Sequence, residues 1–362
     1  MIKWLIIIIM WLLPYSALAQ YRITGRVVNL EDKKPVANAS VFLSNATAGA
    51  KTNDDGTYTI ANVRGGQYEL VVSMVGYANY RQTIMVNNDI SLPDIEIISK
   101  AIELREVRIH PDKNWALHYD MFRREFLGES ENAKQCKILN PKVLDFSYDK
   151  TTSELSASSS DFVDVENKAL GYRVRYLLAN FTKNYSKGYL YYEGSAQFEN
   201  LKGNKSQLKK WQKNRQNTYE GSSMHFLRTI IANQLQQEGF KVLRLTRKPN
   251  PEYRGGMNNR YVETLLTTPL EINDFAIRTD KNGIYALSFK DCLYIMYAKP
   301  SVTNGEIKPA PLYTISIATI GGPYAYFDNN GIIINPQSVT FEGSLGESRL
   351  AELLPVDYEP MQ

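Results

Sequence analysis

Between residues 22 and 98 every apolar run is cut to strand length by a turn, and that pattern restricts the segment to a small all-β unit. Ile23-Thr24-Gly25-Arg26-Val27-Val28 opens it, and Pro35 through Asn38, Asn53-Asp54-Asp55-Gly56 and Arg64-Gly65-Gly66-Gln67 close successive runs. Val41 and Leu43 alternate with Ser40, Phe42 and Ser44, and Tyr58 and Ile60 with Thr57 and Thr59, which predicts strands with one buried face. A longer run, residues 68–75, ends at Gly76-Tyr77, followed by Ile84 and Val86, then Leu92, Ile95 and Ile97. Strands this short and this punctuated predict a sandwich and not a parallel sheet. Gly56 is expected at the positive-φ position of its turn. Asn53-Asp54-Asp55 lacks the alternating ligand spacing of a calcium loop.

The residues ahead of this unit read as an export signal. Lys3 gives a positive start, residues 5–13 are apolar throughout, and Ala17-Leu18-Ala19 before Gln20 fits the small-x-small rule for cleavage. The apolar run is about half the roughly 20 residues a membrane helix needs. Residues 1–19 are therefore expected to be removed, leaving no transmembrane segment and a product in the periplasm or associated with the outer membrane. No cysteine lies near the cleavage site, which excludes lipid attachment there.

A chain of 362 residues with 43% hydrophobic side chains has material for more than one core. Its net charge of +4 is too slight to imply a polyanionic partner, so nucleic acid is not expected. Cys136 and Cys292 form a candidate disulfide in a compartment that permits oxidation, the alternative being two buried thiols.

The second domain is expected over residues 100–362, its patterning changing after Ile109-His110-Pro111. Trp115, Leu117, Tyr119, Phe122 and Phe126 recur at helical spacing up to Gly128. Strand-like segments come next at 143–148, 154–157, 172–181 and 189–198, predicting an antiparallel sheet. Residues 206–219 then read as a helix with Leu208, Trp211, Arg215 and Tyr219 on one side and Lys209, Lys210 and Lys213 elsewhere. Gly221 suits its C-terminal cap, Ser222 or Ser223 caps a second helix over about 224–238, and Gly239 stops it before Val242, Leu243 and Leu245 resume extended structure. Gly321-Gly322-Pro323 reads as a turn between strands.

The helical pair holds the candidate site. Trp211, Asn214, Arg215, Tyr219, His225 and Arg228 would either line a groove for a sugar, peptide or anion, or form a polar network that pins the helices to the sheet. The lysines read as a solvated face or as an interfacial contact with anionic lipid. Ser223 and His225 are the one candidate nucleophile and base, but Gly221-Ser222-Ser223-Met224-His225 lacks the glycine spacing of a nucleophile elbow.

Residues in the first unit also carry a family likeness. Gly25-x-Val27, Pro35-Val36-x-x-Ala39-x-Val41, Thr52-x-x-x-Gly56-x-Tyr58, Gly66-x-Tyr68 and Val75-Gly76-Tyr77 resemble the carboxypeptidase regulatory-like domain, a prealbumin-like β-sandwich found at the N-termini of Bacteroidota-type cell-envelope proteins. The resemblance implies that residues 20–99 are this sandwich and that it is accessory to the rest of the chain. Three further stretches are similar to the second domain of uncharacterised envelope proteins with the same sandwich: Phe126-Leu127-Gly128 through Pro141, Trp211-x-x-Asn214-Arg215 through His225-Phe226, and Leu354-Pro355-x-Asp357-Tyr358-x-Pro360. The chain cannot supply the barrel of about 22 strands of a TonB-dependent transporter. Its three histidines, His110, His118 and His225, lack the acidic partners at ligand spacing that a metallocarboxypeptidase zinc site needs.

The sequence thus predicts a mainly β, α+β protein: a sandwich, then an antiparallel-sheet domain with a helical pair. The expected function is non-catalytic binding or scaffolding at the periplasmic side of the outer membrane, without cofactor or metal, the partner being an envelope protein or glycan. A carbohydrate-binding module is the alternative, and a serine hydrolase at Ser223 and His225 a further one.

Overall fold

The structure, a computed structural model, describes residues 20–99, 113–254, 260–281, 283–303, 306–309 and 312–361. The expected leader and the expected junction at Ile109-His110-Pro111 lie outside these residues.

Strands β1 (Gln20–Asn29), β2 (Ser40–Leu43), β3 (Gly49–Lys51), β4 (Thr57–Arg64), β5 (Gly66–Ser73), β6 (Tyr80–Val86), β7 (Ile90–Ser91) and β8 (Ile95–Ile97) make two four-stranded sheets. One is centred on β1, antiparallel to β4 and parallel to the short β7 and β8; the other runs β3-β2-β5-β6. Period-two alternation sends Tyr58, Ile60, Leu70 and Val72 inward to meet Ile23, Val27, Val41 and Leu43. Gly56 holds its turn at φ 79°, where a Cβ would stand 2.5 Å from the Val27 carbonyl oxygen. One expectation is corrected: β2 is buried on both faces. Phe42, on the face opposite Val41, packs with Val71 against Phe162 and Leu177 of the second half.

Helix α1 (Trp115–Leu127) ends at Gly128 as its sequence predicts. Its buried face is His118, Phe122, Phe126 and Leu127, whereas Leu117, expected in the apolar stripe, is 58% exposed. Strands β9 (Cys136–Ile138), β10 (Leu144–Asp149), β11 (Glu154–Ser159), β12 (Val163–Asn167), β13 (Tyr172–Asn184) and β14 (Tyr189–Asn200) form a six-stranded antiparallel sheet beneath it. Phe122 meets Phe181 edge-on at 4.7 Å, and Phe126 meets Tyr176 at 5.2 Å and Tyr192 at 5.4 Å.

The helical pair comes next in the chain. Helix α2 (Lys205–Tyr219) starts with a capping box between Asn204 and Gln207, and α3 (Ser223–Ala232) starts at Ser222, whose hydroxyl accepts from the His225 N–H at 3.1 Å. Two details depart from expectation. Leu208 is 50% exposed, and α3 ends at Ala232 because Asn233 turns left-handed at φ 56°, so that Leu235 reaches the core from the turns beyond.

Strands β15 (Phe240–Pro249), β16 (Tyr261–Pro269), β17 (Ala276–Arg278), β18 (Ile284–Leu287), β19 (Cys292–Tyr297), β20 (Pro300–Thr303), β21 (Glu306–Pro309), β22 (Thr314–Ile320), β23 (Ala325–Asp328) and β24 (Val339–Gly343) complete the chain. They give a five-stranded sheet, β16-β15-β19-β22-β24, a three-stranded sheet, β17-β18-β23, and a separate β20-β21 pair. Phe226, Leu227 and Ile230 of α3 close the core between the first two. Gly321-Gly322-Pro323 lies where the chain leaves one sheet for the other.

The candidate disulfide is not formed. Cys136 sits at the start of β9 in the six-stranded sheet and donates to the Asn132 carbonyl oxygen at 3.4 Å, while Cys292 is buried on β19 in the five-stranded sheet, 3.5 Å from Thr319 Oγ1. The two thiols belong to different sheets, and burial pushes that of Cys136 up to about 12.

Candidate binding site

The six residues singled out on the helical pair come together, but their polar atoms point into the protein. Trp211 Nε1 donates to the Lys168 carbonyl oxygen at 2.9 Å, Asn214 Nδ2 to that of Ala169 at 2.8 Å, and Arg215 Nε to that of Leu170 at 2.7 Å. Arg215 Nη2 adds bonds to the Gly171 carbonyl oxygen and Asn200 Oδ1, both at 3.1 Å. Successive carbonyls of the loop between β12 and β13 are thereby satisfied by one face of α2. The loop can approach this closely because Gly171, at φ 70°, has no Cβ; one there would lie 2.2 Å from the Trp211 ring. Arg215 also lies 3.8 Å over the Tyr172 ring, and burial lowers its pKa.

Tyr219 and Arg228 meet the C-terminal tail instead, and His225 lies between Tyr219 and strands β15 and β19. Gly221 N–H donates to His225 Nδ1 at 3.0 Å, which leaves the ring proton on Nε2, 3.2 Å from Glu238 Oε2. Tyr219, Phe240 and Tyr297 surround the ring, and burial pulls the His225 pKa down against the raising effect of Glu238. Both ring nitrogens thus have partners other than Ser223, and among the described residues neither bonds a serine hydroxyl. Arg228 donates through Nε, Nη1 and Nη2 to the carbonyl oxygens of Asn330, Tyr358 and Val356 at 2.9, 2.9 and 2.7 Å.

That tail joins the two halves of the molecule. Leu350 and Leu354 lie in the core under α1, Val356 enters the sandwich core, and the Tyr358 ring lies 5.7 Å from that of Tyr219, tilted by 52°. The Val356 N–H donates to the Asn45 carbonyl oxygen at 2.7 Å, and Thr47 donates to the Asp357 carboxylate through its N–H and hydroxyl. Arg64 pairs with Glu359 at 2.6 Å. On its other side the Asn45-Ala46 loop bonds to β14, Asn45 N–H to the Ala196 carbonyl oxygen at 2.7 Å and Phe198 N–H to that of Ala46 at 3.0 Å.

Docking of the halves leaves a cleft of about 390 Å³ that sequence reasoning missed. The sandwich lines it with Gln67, Tyr68, Glu69, Arg81 and Thr83 from β5 and β6, and the second half with Glu193 of β14, Asp328, Asn330, residues 332–334 and Pro336. Arg81 is exposed and makes no salt bridge among the described residues. Glu69 accepts from Ser195 Oγ at 3.2 Å, and Glu193 from the Tyr191 hydroxyl. Asp328 is 8% exposed; burial raises its pKa although the Asn330 and Ile332 N–H groups donate to it at 2.9 and 3.0 Å. The signal for this cleft was a polar outer face on β5 and β6, but nothing in the sequence places Glu193 or Asp328 opposite it. No group of three His, Cys, Asp or Glu among the described residues could hold a metal.

A comparison with protein families finds a match to the CarboxypepD_reg-like domain. Residues 23–109 carry that domain. Its β-sandwich is the one formed by β1–β8, which supplies one wall of the cleft. Comparison with curated proteins finds no match. Among solved structures, a type II cohesin-X-dockerin complex from Acetivibrio cellulolyticus is 18% identical over 21% of this chain and 56% of that chain, TM-score 0.20. The group B streptococcus pilus 2b backbone protein is 19% identical over 22% and 42%, TM-score 0.20. A DUF3823 family protein from Bacteroides ovatus is 8% identical over 86% and 100%, TM-score 0.19. The chain spans about half the length of the first two, and likenesses at these TM-scores carry no functional argument.

Proposed function

We propose that the protein is a non-catalytic binding or scaffolding protein of the bacterial cell envelope, on the periplasmic side of the outer membrane, and that its ligand occupies the cleft between the sandwich and the six-stranded sheet. The observation that carries this reading is Arg81: an exposed guanidinium with no salt bridge among the described residues, in a concave site that also holds Glu69, Thr83 and Glu193. The helical pair is then a structural element, since its candidate residues bond to backbone carbonyls of this chain. The leader-like residues 1–19 support an exported setting. Affinity capture with the tagged protein from its own envelope, comparing wild type with Arg81→Ala plus Glu69→Gln, tests the reading. Loss of a partner from the variant supports it; an unchanged set of partners sinks the cleft.

A glycan ligand is the second reading. Glu69, Arg81 and Glu193 are groups that hold sugar hydroxyls, whereas Tyr68 is 5% exposed and presents no open ring for stacking. A glycan array probed with the same two proteins separates a sugar from a protein partner.

A further inference from the structure

Helix α2 carries its charge where helix physics disfavours it. No Asp or Glu occurs between Glu199 and Glu220, yet the stretch holds Lys202, Lys205, Lys209, Lys210 and Lys213 as well as Arg215. Lys205 is the first helical residue, and the helix has no acidic residue in its first turn and no basic one in its last, the reverse of what the macrodipole favours. The five lysines are exposed, and none has an ion pair among the described residues. Ordinary surface lysines are interleaved with acids; these are not.

Their placement is ordered as well. At about 100° per residue, Lys205, Lys209, Lys210 and Lys213 fall on one side of the helix, opposite the side on which Trp211 and Tyr219 are buried and Asn214 and Arg215 bond to the sheet loop. Lys205 to Lys213 spans roughly 12 Å along the axis. The inner face is fixed by hydrogen bonds, so the outer face is a rigid cationic ridge.

We propose that this ridge docks the protein on an anionic membrane surface through lipid phosphates. The complementarity is electrostatic: four outward ammonium groups without an ion pair among the described residues meet a plane of phosphates, each lysine contributing independently of the others. No apolar face inserts, because the buried stripe of α2 is committed to the sheet, so the contact is peripheral and salt-sensitive. The proposal does not depend on what fills the cleft, which lies on other elements.

The test is co-sedimentation of the full-length mature protein with vesicles of phosphatidylglycerol and phosphatidylcholine, or of phosphatidylcholine alone. Wild type should sediment with the anionic vesicles at low salt and be released as salt rises. Replacing Lys205, Lys209, Lys210 and Lys213 with Gln should remove binding, at about five-fold per lysine. A control with Lys137, Lys150, Lys248 and Lys290 changed to Gln, an equal change in net charge away from the ridge, should bind nearly as wild type. Circular dichroism confirms the fold of each variant. Wild type left in the supernatant, equal binding to neutral vesicles, or an equal loss in the control overturns the proposal. So does a duplex oligonucleotide that binds the ridge as tightly as the vesicles at the same phosphate concentration, which would make the partner a nucleic acid. Failure here leaves partner capture through Arg81 and Glu69 unaffected, so the two readings fall separately.

Discussion

Arg228 is half-buried and directs three of its nitrogens to three carbonyl oxygens on two segments, Asn330 on one side and Val356 and Tyr358 on the other. A planar guanidinium spans such a set, and an ammonium does not. Arg228→Ala should therefore cost about 3 kcal/mol, and Arg228→Lys should recover less than half of that. Urea unfolding followed by tryptophan fluorescence checks this; a loss near zero for the alanine variant would remove Arg228 from the junction. His225 gives a pH signature at the same scale. Burial holds its folded pKa below the ordinary 6.5, outweighing the Glu238 hydrogen bond and the charges of Glu238 and Glu220. Because the folded value is depressed, the unfolded chain binds the proton first as pH falls. The stability contributed by neutral His225 is complete above about 6.5 and is lost as pH drops from there toward the folded pKa. The stability gap between wild type and His225→Gln should narrow between pH 7.5 and pH 5.5, and a gap that stays constant contradicts the assignment.

At the scale of elements, the sequence made legible whatever local chemistry decides. The turns at Gly56 and Gly128 and the start of α3 at Ser222 arise from residue types that satisfy backbone groups nearby. The end of α3 was not legible, since Leu235 continues the apolar stripe although Asn233 has already left the helix. Nor was the fate of the site residues. The carbonyl partners of Trp211 and Arg215 lie more than 40 positions away, and a tryptophan beside an arginine reads equally as groove or as clamp. The C-terminal tail illustrates the same point, because Val356 belongs to a core built more than 250 residues earlier. Deleting residues 355–362 withdraws Val356 from that core, at about 1.5–3 kcal/mol, and strips Arg228 of two acceptors. A total loss of about 4 kcal/mol is expected in urea unfolding. A deletion as stable as wild type would show that the tail is not a structural strap.

At the scale of the molecule, the issue is whether the sandwich acts here as a separable module. Its second face argues that it does not. Phe42 and Val71 would be solvent-facing in an isolated sandwich with alternating strands, yet both are fully buried against Phe162 and Leu177. The Phe42 and Phe162 rings are 5.8 Å apart, and the Arg175 guanidinium covers Phe162 at 4.3 Å while reaching Ser40 at 3.4 Å. With the Asn45-Ala46 loop bonded to β14 on one side and to the tail on the other, the halves share hydrophobic and hydrogen-bonded contacts. The cleft beside Arg81 has walls from both halves, so its shape depends on that union. Two-state unfolding usually fails for multidomain chains, but shared core residues make the halves one cooperative unit, and a single calorimetric transition is expected for the full chain. Phe42→Ala and Phe162→Ala should each cost about 3 kcal/mol, with a coupling of about 1 kcal/mol in a double-mutant cycle. Phe42→Asp, which places a charge in this contact, should split the transition in two as the sandwich melts by itself. If the wild-type chain already melts in two steps and the two phenylalanines show no coupling, the halves are independent modules and the cleft between them is not a fixed site.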